Sequence, residues 1–201
     1  LYSTGFQAAQ GVIPVLAQKG DYVITDKENH ASIVAGNLIA RAMMVEVVRY
    51  KHNDMDDLER VLSKIPLEAG KLIVSDGIFS TWGTIANVPK IVELAEKFNA
   101  RICEGGRGTA SHFGLSDKVD LTMATFSKTL ASLGGFIVGE SRVINYLKHH
   151  APALIFSASP TPASVAAALA ALDILEQEPE RINKLKYNAT KIRKAFKELG
   201  F

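Results

Sequence analysis

A chain of 201 residues, 47% hydrophobic and 22% charged, is long enough for one substantial core and has the composition of a soluble globular domain. The formal net charge is only +2, and its lysines and arginines are scattered among acids, which argues against a nucleic-acid partner. The single Cys103 excludes an internal disulfide and a cysteine-built zinc site, and no apolar run or charged-then-apolar leader points to a membrane, so the reading is a cytoplasmic chain.

Taken in order, Gly5 to Ala17 predicts a helix capped by Thr4 and stopped by Gly20. Its glycine-opened N-terminus offers backbone N–H groups and the positive end of a dipole, so Gly5 and Phe6 are candidate phosphate contacts. Asp21 to Thr25 reads as a strand, and a loop from Asp26 to Asn29 leads into a helix opened by His30, placed to present a flat imidazole to a ligand. Met43 to Tyr50 reads as a second strand, followed by a helix from the His52-Asn53-Asp54 turn to about Ile65, whose acids are helix-start electrostatics. Lys71 to Ser75 is a third strand, running into a hydroxyl-rich loop in which Ser80 can hydrogen-bond a ligand and Trp82 reads as a packed aromatic. Val88 to Asn99 is an amphipathic helix, and Arg101 to Cys103 starts a strand that stops abruptly at Glu104-Gly105-Gly106-Arg107.

Val119 to Ala124 and Gly134 to Gly139 read as two further strands, and Lys128 lies in the polar turn between them. An amine at a strand end facing a dry crevice loses its proton more readily and can attack a carbonyl, while Thr125 and Ser127 add hydroxyls suited to a phosphate. Ser141 to His149 is a short helix, with His149-His150 a solvated end lacking a partner at metal spacing. Ala153 to Ser157 reads as a strand, Ala163 to Gln177 as an alanine-rich helix, and Arg181 to Leu199 as a charged amphipathic arm between domains. The Met-less opening at Leu1 and the stop at Phe201 read as cut ends, with more sequence expected on both sides.

Alternating strands and helices predict an α/β fold, a mostly parallel sheet flanked by helices, with ligands beyond the carboxyl ends of its strands. Gly5, His30, Ser80 and Lys128 all fall at such ends.

These residues resemble a known family. Thr4-Gly5-Phe6, Asn29-His30-Ala31-Ser32, Arg49 through His52-Asn53-Asp54, Thr125-Phe126-Ser127-Lys128 with Gly134-Gly135, and Phe156-Ser157 are similar, in the same order, to the large domain of the α-oxoamine synthases. The resemblance covers nearly the whole chain. It implies the aspartate aminotransferase-like fold of pyridoxal-phosphate-dependent transferases, with residues 1–180 as the cofactor-binding large domain and 181–201 leading to a small domain. It implies decarboxylative condensation of an amino acid, L-serine by the closest motifs, with an acyl-CoA. The alternatives are the 8-amino-7-oxononanoate synthase and 2-amino-3-ketobutyrate CoA ligase branches, or an inactive homologue serving as a partner subunit. The implied roles are cofactor attachment and Cα proton removal by Lys128, ring stacking by His30, phosphate binding by Gly5, Phe6 and Thr125 with Ser127 beside them, and a ring-hydroxyl contact by Ser80. Ser157 would reach the cofactor of a second subunit, making a homodimer with a shared site.

The family continues the strand after Ile102-Cys103 with an Asp-x-Ala/Ser-His motif, whose aspartate pairs with the cofactor ring nitrogen. Here Cys103 runs straight into Glu104, so about a dozen residues are expected to be absent at 103/104, and the expectation is that this junction is not a peptide bond. Ala9, Trp82 and Thr84 also depart from the family's usual asparagine and acidic residues.

Overall fold

The computed structural model describes residues 1–105 and 107–201, with backbone alone at 104, 105 and 107. The first half runs α1 (Gly5–Leu16), β1 (Tyr22–Asp26), α2 (Ala31–Ala42), β2 (Glu46–Tyr50), α3 (Met55–Leu62), β3 (Lys71–Asp76) and α4 (Val88–Phe98). The second runs β4 (Arg101–Gly105), α5 (Arg107–His112), β5 (Leu121–Thr125), β6 (Gly135–Gly139), α6 (Ser141–His150), α7 (Pro152–Ile155), α8 (Pro162–Gln177) and α9 (Glu180–Glu198). The strands form one sheet in the order β2-β1-β3-β4-β5-β6, parallel throughout except for the antiparallel β5–β6 pair.

Alternation along the strands builds two cores, one on each face. Val23, Leu72, Val74 and Cys103 point to the side covered by α1 and α2, while Ile24, Ile73 and Ile102 point to the side covered by α3 and α4. Adjacent residues thus serve opposite layers, as the two-residue period of a strand requires. Each fully buried Ile or Leu contributes on the order of 2 kcal/mol, so the central strands β1 and β3 carry much of the driving force.

Strand order decides where a ligand fits. From β1 the chain steps outward to β2, then returns to place β3 on the other side of β1. The helix after β1 and the helix after β3 lie on opposite faces, which opens a crevice at the carboxyl ends of these two strands.

Several boundaries differ from the sequence reading. The strand expected from Met43 begins at Glu46, because α2 runs on to Ala42 and Met44 takes a left-handed turn with φ 66°. Helix α3 stops at Leu62, short of Ile65. The strand expected over 153–157 is the helical turn α7: Pro152 fixes the first helical position, and Ile155 N and Phe156 N donate to the carbonyls of Ala151 and Pro152. Strand β4 continues through Cys103 and Glu104, paired with Val74 and Ser75, and does not stop at Cys103. Gly106, within the Glu104-Gly105-Gly106-Arg107 stretch at which the strand was expected to stop, lies outside the described residues. Helix α8 buries only Ala168, and α9 buries none of its residues. No helix among the described residues is long and apolar enough to cross a membrane.

Candidate active site

The first half of the site is built where α1 meets the β5–β6 turn. The Thr4 hydroxyl and carbonyl accept from Gln7 N and Ala8 N, so Gly5 and Phe6 supply the opening amides of the helix, which have no acceptor inside it. Thr125 presses on Gly5: a Cβ on Gly5 would lie 2.5 Å from the Thr125 Cβ and 2.7 Å from its Oγ1. Thr125 Oγ1 and Ser127 Oγ are 2.9 Å apart, and Ser127 N donates back to Thr125 Oγ1 at 3.3 Å. The turn is closed by Phe126 N and Gly134 O at 3.0 Å and by Ser132 N and Phe126 O at 3.0 Å, with Ala131 left-handed at φ 46°. Two hydroxyls and two helix-start amides thus share one corner, a donor set that suits a phosphate, and Lys128 follows Ser127 in the same turn.

The second half lies in the β1–β3 crevice. Buried Asn29 spans it, donating from Nδ2 to Thr25 Oγ1 and to Val74 O, and accepting Asp76 N on Oδ1, each at 2.8 Å. Asp76 Oδ2 accepts from His30 N at 2.7 Å, and burial holds the Asp76 carboxyl above the usual carboxylate range. His30 caps α2, its Nδ1 accepting from Ser32 N at 3.2 Å and lying 2.8 Å from Ser32 Oγ, which fixes the ring at the crevice mouth. The ends of β3 and β5 flank β4, so the two halves stand about 10 Å apart, a span for a ligand with a phosphate at one end and a flat ring at the other.

A third group was not anticipated as a cluster. The Asp26 side chain, fully buried at the end of β1, accepts from Glu28 N at 2.8 Å, His52 Nδ1 at 3.1 Å and Asn53 N at 2.8 Å. Burial first, and the Asp26 charge second, hold the Tyr50 phenol well above its ordinary range. Only an acid directly after an apolar strand marks Asp26 in the sequence, and it reads there as loop.

Gly5, Thr125, Ser127 and Lys128 are therefore brought together, with Phe6 beside them and 44% exposed. His30 is exposed at the mouth of the crevice, and Ser80 is exposed on the loop that leaves Asp76. Ser157 is held by a hydrogen bond from Gln7 Nε2, which also donates to Ala153 O at 2.9 Å, so it lies beside α1. Two expectations fail. Lys128 is exposed, so the dry crevice expected around its amine is not closed by these residues. Trp82 is 60% exposed, with its indole N–H on Glu28 Oε2 at 3.1 Å, and is not a packed loop aromatic.

Comparison with known proteins matches residues 1–201 to the family model described as aminotransferase class I and II. The chain is 49% identical to serine palmitoyltransferase of Sphingobacterium spiritivorum, covering 100% of this chain and 52% of that protein. It is 40% identical to 8-amino-7-oxononanoate synthase of Thermoanaerobacter pseudethanolicus, covering 100% of this chain and 53% of that one. The solved structure of serine palmitoyltransferase from S. paucimobilis with a bound PLP–myriocin aldimine superposes with a TM-score of 0.89 at 34% identity, over 94% of this chain and 49% of that chain. The chain thus spans about half the length of the curated relatives it matches. The alignment with the Sphingobacterium protein runs over 212 positions against the 201 residues here, a difference of eleven.

Proposed function

Since the chain belongs to the aminotransferase class I and II family, we propose that it is the cofactor-binding part of a pyridoxal-phosphate-dependent C-acyltransferase of the α-oxoamine synthase type. Its reaction is the decarboxylative condensation of L-serine with a long acyl-CoA, giving a 3-keto sphingoid base. The observation that carries this reading is Thr125 resting on Gly5 with Ser127 bonded to it, a donor-rich corner one residue before Lys128 in the same turn. The 49% identity to a serine palmitoyltransferase, against 40% to an 8-amino-7-oxononanoate synthase, favours serine over alanine as the amino acid.

The residues present suit the phosphate and ring face of pyridoxal phosphate, which when bound would supply an electron sink for the charge that develops at Cα; the aspartate with which the family pairs the ring nitrogen for that purpose has no counterpart here. Gly5, Phe6 and Thr125, with Ser127 beside them, would hold its phosphate, His30 its ring and Ser80 its ring hydroxyl. Lys128 would be the residue to which the cofactor attaches and the base that takes and returns the proton at Cα. Ser157 faces a second copy of the chain, and the working form is a cytoplasmic homodimer whose subunits close the site over Lys128. Residues 1–180 form the large domain, and 181–201 lead to a small one.

A second reading is favoured by one observation. The family's aspartate for the ring nitrogen has no counterpart after Cys103, and we assign the eleven-position difference from the Sphingobacterium protein to the 103/104 junction. A protein with that shortfall in its native form is a non-catalytic homologue paired with an active subunit. Adding pyridoxal phosphate to the full-length protein and following the imine absorbance, then assaying serine and alanine with acyl-CoA, tests both. Imine and turnover with serine support the enzyme, faster turnover with alanine moves it to the other branch, and neither signal supports the non-catalytic subunit.

A further inference from the structure

We propose that Asp26, His52 and Thr84 form a latch that positions Ser80 for the cofactor, with His52 and Thr84 as positioning residues. The inference rests on the reading above that the β1–β3 crevice receives the ring. The segment from Gly77 to Asn87 folds back on itself through Ala86 N to Gly77 O at 3.0 Å, Phe79 N to Thr84 O at 2.9 Å and Gly83 N to Phe79 O at 2.7 Å. Its tip, which carries Ser80, is exposed, whereas Phe79 at its base is 1% exposed. A short exposed tip of this kind keeps a fixed place only if side chains tie it down.

The ties converge on one buried carboxylate. His52 gives Nδ1 to Asp26 at 3.1 Å and reaches Thr84 Oγ1 from Nε2 at 2.9 Å, crossing from the end of β1 to the loop. Its ring is packed edge-on against Phe79, with centroids 4.4 Å apart, and stacked at 6.3 Å against Trp82. Asn53, held left-handed at φ 51° with its N–H on Asp26, adds a second strap by donating to Ile85 O at 3.1 Å and accepting Asn87 N at 3.0 Å.

Proton roles follow from the acceptors. A carboxylate only accepts, so His52 Nδ1 carries hydrogen toward Asp26, and Nε2 faces Thr84. The Thr84 hydroxyl both donates and accepts, so the link persists whether or not Nε2 is protonated beside the Asp26 carboxylate and, beyond Trp82, that of Glu28.

The test uses full-length protein carrying Thr84→Val, which keeps the shape and removes the hydroxyl, and Thr84→Ser, which restores it. Without cofactor, amide hydrogen exchange across 77–87 is expected to rise about fivefold in Thr84→Val and to return toward wild type in Thr84→Ser, with the sheet core unchanged, as one lost hydrogen bond predicts. Binding of pyridoxal phosphate should weaken by about the same factor in Thr84→Val alone. Unchanged exchange in Thr84→Val overturns the latch. Faster exchange with wild-type cofactor affinity overturns the positioning role. If wild type binds no pyridoxal phosphate, the functional reading falls and the positioning role with it, while the exchange arm still decides whether the latch exists.

Discussion

Thr125 stands directly over Gly5, so close that a methyl group on Gly5 would fall 2.5 Å from the Thr125 Cβ. The neighbour is a β-branched residue at the end of a paired strand, with little freedom to retreat. Gly5→Ala should therefore cost about 1–3 kcal/mol in denaturant unfolding of the full-length protein, through overpacking. It should also weaken phosphate-bearing ligands, because α1 must back away from the hydroxyls. A wild-type unfolding midpoint would show that the β5 end yields freely.

Asn29→Ala removes three hydrogen bonds at once and leaves Val74 O and Asp76 N without their side-chain partner in the crevice. We expect a loss of about 3 kcal/mol, since orphaned buried groups cost more than the net value of the bonds. Chemical denaturation of the variant decides this, and a loss under about 1 kcal/mol would mean that water satisfies the crevice.

Asp76 titrates above the ordinary carboxylate range, burial outweighing the His30 N–H bond that pulls its value down. A folded-state value above the unfolded one gives stability that is full below the unfolded value and is lost as pH rises through the folded one. Asp76→Asn keeps an acceptor for His30 and does not titrate. Its melting temperature relative to wild type should rise between about pH 4 and about pH 7. A difference that stays flat over that interval would show that the carboxyl is as well solvated folded as unfolded.

Lys128 is exposed, so its side chain contributes little to folding. Lys128→Ala should keep the melting temperature within a degree or two of wild type while abolishing the imine absorbance and all turnover with serine. An imine that survives the substitution would assign the attachment to another amine.

Phe156 is 85% exposed beside Ser157, the residue proposed to face a second subunit. If Phe156 lies in the proposed homodimer contact, Phe156→Glu in the full-length protein should shift that dimer toward monomer by at least tenfold in dissociation constant, as expected when a charge replaces a buried interface aromatic. Light scattering across a dilution series reads it, and an unchanged dimer would place the contact elsewhere.

Much of the fold is legible because β1, β3 and β4 are buried on both faces and read as short apolar runs between helices of clear period. The 153–157 segment misled because five apolar or small residues fit a strand and a helical turn alike, and the choice was made by Pro152 and by packing against α1, where a Cβ on Gly11 would meet the Ala153 Cβ at 2.8 Å. Within the site, loop-end residues such as Gly5 and His30 are marked by glycine and capping chemistry. Asp26 is different: its importance lies in the partners His52 and Asn53, some 26 residues away, and pattern carries no such distance. Lys128 could be located by its strands but not its solvent exposure, which depends on what else covers the turn.

Ser132 in the lysine turn donates to the Ser164 carbonyl of α8 at 2.6 Å, across a groove of about 560 Å³ lined by Ser127, Ala131, Ala163 and Ala167. Helix α8 otherwise has almost no hold on the sheet, with Ala168 its one buried residue among those described. Ser132 thus ties the turn that carries Lys128 to a helix left otherwise open along its length.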